Sequence, residues 1–227
     1  MSQWPDDFDF DTDETCQSVF KPFIINQIQA LESYNAQRPK GHVYQFHKHA
    51  ERVARNVGKT CVHMGLGKTV ANNMYWAVLP HDIGKMSLPV SIWDVDSKPD
   101  EFLKSRRRTH TILGKRIVDD LLGQEKHLFK DLMVDIMLHH HEKMDGTGQH
   151  GVMDHDLSLP VRLTCIADSY DGWRIRRPHY DKKRDTSPRG VIQRIREEKG
   201  EEFFDMEIVD QFEAMKMAEY KANHEPF

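Results

Sequence analysis

Five histidines, at positions 49, 81, 110, 140 and 141, each fall where the spacing of apolar residues puts them on the inward face of a helix. Phe46, His49, Val53 and Val57 recur at helical spacing, as do Val70, Met74, Ala77 and His81. A third stretch, from about Arg106 to Leu122, sets His110, Gly114, Ile117 and Leu121 on one face. A fourth carries Leu128, Leu132, Ile136 and His140 at four-residue steps. A chain that buries imidazoles on several helices must give them partners, because an unsatisfied polar group in an apolar interior is costly. Any one of them alone reads as a hydrogen-bonded core residue. Five of them, with Asp82 and Asp168, form the pattern of a metal centre, since neutral imidazole beside carboxylate suits Fe, Mn or Zn.

The rest of the chain is helical in pattern too. Phe20 to Tyr34 is amphipathic, and Val161, Cys165, Asp168 and Gly172 mark a helix preceded by Pro160. Ser187-Pro188 offers an N-cap and first-turn proline for a helix through Ile192 and Ile195, with Gly200 as its stop. A last helix spans about Met206 to Ala222, and no segment alternates with period two. The expected fold is all-α, a helical bundle with a metal site between the helices. Its organisation reads as an acidic, loosely attached arm over 1–17, an N-terminal helix within 18–40, and a catalytic domain over 41–227. A chain of 227 residues suits one well-buried domain of this kind, and a second full-sized domain is not expected within it.

Charge and cysteine content narrow the partners. With a net charge of −4 there is no global basic field for duplex nucleic acid, so an anionic substrate needs a local positive site. The stretch Arg174 to Arg189, with seven Lys or Arg against two Asp, directly follows Asp168 and can supply one. Cys16, Cys61 and Cys165 are odd in number and far apart, which reads as free thiols in a reducing compartment. The start of the chain is acidic where a signal peptide is basic and apolar, and no apolar run approaches the ~20 residues of a membrane span. A cytoplasmic protein with no membrane partner is expected. Gly65-Leu66-Gly67-Lys68-Thr69 looks like the end of a P-loop, but Val62 stands where that motif needs glycine.

Taken in order, His49-Ala50-Glu51-Arg52-Val53-Ala54, His81-Asp82-Ile83-Gly84-Lys85, His110, His140 through Gly148, Ile166 through Asp171, and Arg177-Pro178 resemble the HD-GYP family of metal-dependent phosphodiesterases, within the HD phosphohydrolase superfamily. The resemblance implies two divalent ions, Fe or Mn, bridged by Asp82. His49, His81 and Asp168 would complete one shell, His110 and His140 would serve the second, and His141 would supply that ion or a third. It further implies that Asp82 and Lys85 act in catalysis and that Lys85, Arg177 and Asp171 touch substrate, a cyclic dinucleotide with cyclic di-GMP foremost. Paired cations suit this chemistry because they activate water and offset the charge of an in-line displacement. Glycines at 146 and 148 are expected to let the following loop turn tightly.

Two positions depart from the family. Gly148-Gln149-His150 stands where the family has Gly-Tyr-Pro, which puts nucleotide preference and association with cyclase domains in question. Gln45 stands where members with three metals carry a glutamate, and a neutral amide is a poorer ligand, so two ions are expected. The leading reading is a dinuclear phosphodiesterase that yields a linear dinucleotide or mononucleotide, with a homodimer admissible. An HD-fold di-iron oxygenase and a non-cleaving cyclic-dinucleotide sensor are the alternatives.

Overall fold

The protein is described here from a computed structural model covering residues 8–39, 44–177 and 184–223. Residues 1–7 of the acidic arm, His42, the 178–183 part of the basic stretch and His224 lie outside the described residues. The α-helices are α1 Lys21–Ala36, α2 Phe46–His63, α3 Lys68–Val78, α4 Glu101–Arg108, α5 His110–Leu122, α6 Leu128–His139, α7 Leu159–Arg174, α8 Pro188–Gln193, α9 Gly200–Phe203 and α10 Met206–Ala222. No strand occurs among the described residues, and none of the described helices is long and apolar enough to cross a membrane.

Two helices organise the core. Helix α2 buries Ala50, Val53, Ala54, Val57 and Cys61 along one stripe and packs on α1, α3, α7 and α10. Helix α7 starts with Ser158, whose hydroxyl accepts from the Val161 amide, and has Pro160 in its first turn, where the missing N–H costs nothing. It buries Val161, Leu163, Ile166, Ala167 and Tyr170. Each fully buried Val, Leu or Ile contributes about 1.5–3 kcal/mol. Because α2 and α7 hold each other through these residues, His49 and Asp168, on their facing sides, are fixed in place.

Helix α3 ends at Val78, short of the expected stripe through His81. Pro80 has no amide hydrogen to continue the ladder. The chain turns instead, the His81 amide donating to the Val78 carbonyl at 2.9 Å, and enters a 3₁₀ segment, Ile83–Ser87, that carries Lys85. Gly84 lies against the start of α5 so closely that a Cβ would collide with the His110 carbonyl oxygen and the Gly114 nitrogen. That approach is what sets His110 beside Asp82.

Three expectations need correction. The stretch expected as one helix from Arg106 is two, α4 and α5, parting at Thr109, and Val118 and Leu122 are buried on α5 where Leu121 is exposed. On α6 the buried stripe is Phe129, Leu132, Met133, Ile136 and Met137, while Leu128 is exposed. The third concerns the acidic arm, because residues 8–17 are docked rather than loose. Phe10 is wholly buried, stacked on Trp76 at 5.0 Å and packed on Phe129 at 4.8 Å. The side chain of Asn73 holds this segment from both sides, accepting from the Phe10 amide at 2.8 Å and donating to the Phe8 carbonyl at 2.9 Å. Toward the other end, α8 runs on into a π-helical turn, Arg194–Lys199, which stops at Gly200 with a left-handed φ of 58°. Helix α10 has its expected bounds, Met206–Ala222.

Candidate metal centre

Five segments deliver two clusters of donors: α2, the turn after α3, the start of α5, the end of α6, and α7. His49, His81, Asp82 and Asp168 offer ligand atoms within 4.8 Å of one another, and so do His110, His140 and His141. Asp82 stands between them with one oxygen toward each. Its Oδ1 lies 3.1 Å from His110 Nε2 and 3.7 Å from His140 Nε2. Its Oδ2 lies 3.5 Å from both His49 Nε2 and His81 Nε2. Asp82, His49, His81, His110 and His140 are all buried, and Asp168 and His141 are partly exposed.

Backbone carbonyls fix three of the imidazoles. His81 Nδ1 meets the Val78 carbonyl at 2.9 Å, His110 Nδ1 meets Arg107 at 2.7 Å, and His140 Nδ1 meets Met137 at 3.0 Å. A carbonyl only accepts, so each Nδ1 carries the hydrogen and each Nε2 presents a lone pair to the centre. Two of those lone pairs, on His110 and His140, face each other at 3.2 Å. Among the described residues the buried His81 Nε2 and Asp82 Oδ1 have no hydrogen-bond partner. Opposed lone pairs and orphaned buried acceptors are what a cation between them would satisfy, so the donor set fits a pair of divalent ions.

His49 is held differently. Its Nδ1 lies 2.7 Å from Asp171 Oδ2, and Asp171 also receives the Arg52 guanidinium at 2.6 and 2.9 Å. Asp171, expected to touch substrate, therefore stands behind His49 and is not among the residues that line the cavity. Burial disfavours a charged His49, but Tyr44, Asp168 and Asp171 together hold its imidazole well above the ordinary value. Burial likewise opposes ionised Asp82 and Asp168, yet Lys85 and the neighbouring histidines hold Asp82 well below the carboxylate range, and His49 and His81 do the same for Asp168. Burial, aided by the other histidines, keeps His140 well below its ordinary value, and burial takes His141 down to about 3. Both aspartates are anionic and these two imidazoles neutral at neutral pH, the forms in which they bind metal.

Above the centre opens a cavity of about 340 Å³, lined by His110, His140, His141 and Asp168 together with cationic and aromatic side chains. Lys85 is buried, ion-paired with Asp82, and ringed by Tyr44, Phe46 and Trp93 at 5.1–5.8 Å from its ammonium. Arg177 also lines the cavity, its guanidinium 4.8 Å from the Tyr44 ring centroid. Arg107, Arg108 and Lys143 complete a cationic wall, and Trp173, Phe203 and Phe204 an aromatic one. Sequence reasoning had not singled out Tyr44, Trp93, Arg107 or the Phe203-Phe204 pair. They come from loops and helix ends, where no periodicity marks them.

The loop after His141 is organised by Glu142, whose buried carboxylate accepts from the His150 amide at 2.6 Å and the Val152 amide at 3.0 Å. Gly146 takes a φ of 70°, as the tight turn requires, and Gly148 sits where a Cβ would press on Glu142. Gln149 donates to Thr111 at 2.8 Å, and neither it nor His150 lines the cavity. Gly67 is the N-cap residue of α3, so the P-loop look-alike is a helix start.

The sequence pattern of the HD domain family matches residues 40–220. The chain belongs to the HD domain family. Within it the likeness is to the HD-GYP branch, in keeping with the motifs. The HD domain is 27% identical over 175 residues to a cyclic di-GMP phosphodiesterase of Thermotoga maritima, covering 76% of this chain and 45% of that protein. It is 28% identical over 163 residues to the 3'3'-cGAMP-specific phosphodiesterase 2 of Vibrio cholerae, covering 71% of this chain and 29% of the relative. The chain thus spans less than half the length of either relative. Among solved structures, the HDG"Y"P protein Bd1817 from Bdellovibrio bacteriovorus aligns with a TM-score of 0.62 at 14% identity, over 92% of this chain and 63% of that one. The HD domain of the L. monocytogenes phosphodiesterase PgpH, in complex with cyclic-di-AMP, aligns with a TM-score of 0.53 at 15% identity, over 90% and 98%. At such identities these structures speak for the HD fold alone.

Proposed function

We propose that this HD domain is a dinuclear metal-dependent phosphodiesterase that hydrolyses a cyclic dinucleotide, cyclic di-GMP foremost, to the linear dinucleotide or the mononucleotide. The observation that carries this reading is Asp82, buried with one oxygen toward each donor cluster beneath a cation-lined cavity that His110, His140 and Asp168 line. His49, His81 and Asp168 would hold one ion and His110, His140 and His141 the other, Fe or Mn in each case. Bound ions would supply water activation and charge neutralisation at the phosphoryl oxygens.

The chain's own groups do the rest. Lys85 keeps a protonated ammonium beside Asp82, its affinity for the proton raised by Asp82 and Tyr44 against the effect of burial. It is placed to neutralise a phosphate oxygen at the centre. Arg177 brings a second positive charge to the same cavity. Asp171 and Arg52 orient His49 from behind, so Asp171 is read as a positioning residue. Gln45, at the N-cap of α2, offers a neutral amide, which supports two ions and not three. The cationic wall favours a phosphate ester over the oxygenase reading, and the complete donor set favours cleavage over sensing.

Mass spectrometry of products is the test, using protein reconstituted anaerobically with Fe(II) or Mn(II), a panel of cyclic dinucleotides, and Asp82→Ala as control. Cleavage by the wild type and none by the variant is the expected result. No cleavage by a fully metallated wild type would move the assignment to a sensor or, with oxygen uptake, to an oxygenase.

A further inference from the structure

Arg107 is a cation that the metal centre does not use. It lies in the last turn of α4, half-buried, and is pinned by two backbone carbonyls, Nε donating to Ile92 at 2.7 Å and Nη2 to Trp93 at 3.0 Å. Among the described residues its Nη1 has no partner, and the side chain lines the cavity. Its guanidinium is 5.8 Å from the Trp93 ring centroid, while that of Arg177 is 4.8 Å from Tyr44. Both rings pack on Phe46, at 5.2 and 5.1 Å, so the two arginines stand on one aromatic wall. Among the described residues the buried Nε of Arg177 has no hydrogen-bond partner.

Asp94, a carboxylate that acts electrostatically on Arg107, is itself engaged by Arg38, whose Nε donates to it at 2.9 Å. Neither Arg107 nor Arg177 forms an ion pair with Asp82 or Asp168 among the described residues, whereas Lys85 is tied to Asp82. The cavity therefore holds two sets of cations, one at the floor and one on the wall. Two like charges kept together with open donors are stabilised by an anion, and the planar guanidinium fork of arginine matches a pair of phosphate oxygens.

We propose that Arg107, together with Arg177 on the wall formed by Tyr44 and Trp93, is a second anion subsite that binds a phosphate other than the one under attack. The subsite rests on the phosphodiesterase reading and sharpens it: the preferred substrate carries two phosphates, as a dinucleotide does, and Arg107 sets that preference.

The test compares Arg107→Gln with wild type on cyclic di-GMP and on bis(4-nitrophenyl) phosphate, which has a single phosphodiester group. Loss of a charged hydrogen bond predicts a KM for cyclic di-GMP raised about tenfold, several times more than for the small substrate. Arg107→Lys, which keeps the charge but not the paired carbonyl contacts, should recover part of that difference. An equal loss on both substrates, or a lysine variant no better than glutamine, would mean that Arg107 only braces Trp93 and would overturn the subsite. Equilibrium binding of cyclic di-GMP separates the two levels of the argument. If the wild type binds without cleaving and Arg107→Gln binds about tenfold more weakly, the subsite stands and the hydrolase reading falls. Unchanged affinity in Arg107→Gln overturns the subsite whatever the activity.

Discussion

The two halves of the candidate metal centre are built on different principles. The half around His49 and His81 contains the carboxylate of Asp168 and is braced by charge, with Arg52 on Asp171 and Asp171 on His49. The half around His110, His140 and His141 has imidazoles only, besides the shared Asp82, and its ring orientations come from backbone carbonyls at helix ends. In the first half His49 Nε2 already lies 2.8 Å from Asp168, while His81 Nε2 has no hydrogen-bond partner among the described residues. In the second, facing lone pairs repel until something comes between them. An anionic site attracts a divalent ion more strongly than a neutral one does, so the halves should differ in affinity although they share a ligand.

Removing the shared ligand should have the largest effect. Asp82→Asn keeps the shape but takes the bridging charge from both halves and leaves the Lys85 ammonium buried without its partner. Both ions should be lost, with a fall in turnover of about 10³-fold, equivalent to the several kcal/mol that metal catalysis supplies. Metal analysis alongside product formation checks this, and a variant that kept two ions would show that Asp82 is not the bridge. His140→Ala should act on one half only, leaving one ion per chain. If both ions left together on dialysis of that variant against chelator, the distinction between the halves would collapse.

Much of this contrast was legible in the sequence, and the reasons differ by residue. His49 and Asp168 were found because α2 and α7 are regular helices whose apolar stripes run through them. His81 was reached by a four-residue step that the chain does not take, since Pro80 ends α3 early; a turn, not a helix, brings it beside Asp82. The roles of Asp171 and Arg52 were hidden. Each lies three residues from a candidate ligand, a spacing that puts it on nearly the same helix face, but whether it points at the cavity or at that candidate depends on how α2 and α7 pack. Arg107 and Trp93 could not be placed at all, because the break at Thr109 involves neither glycine nor proline. The segment 8–17 was misread because its acidic residues dominate the composition, whereas the pattern that docks it, with Phe10 and Cys16 wholly buried and Phe8 partly so, is sparse.

Asp171→Asn sharpens the comparison at smaller scale. It leaves every metal-facing atom in place and removes the charge that orients His49, so affinity at the first half should weaken by about 10–100-fold, the usual cost of losing such an outer partner. The second half has no contact with Asp171 and should be unaffected. Competition with a chelator would resolve the two ions, and equal weakening of both would argue that the halves are mechanically one unit.

The smallest effect is also the most direct reading of the electrostatics. In the metal-free protein His49 holds its proton to higher pH than a free histidine, against the pull of burial, because Tyr44, Asp168 and Asp171 surround it. An ion entering that half must displace the proton. His141, brought down to about 3 by burial, and His140, also well below its ordinary value, have none to give up near neutral pH. Affinity at the first half should therefore fall by up to about tenfold for one displaced proton as pH is lowered by one unit from neutrality, and His140 and His141 add no such dependence at the second. Calorimetric titration in buffers of different ionisation enthalpy counts the protons released. One proton released from His49 at the first ion is the expected count; none there would mean that His49 is neutral in the absence of metal and that Asp168 and Asp171 do not hold its proton.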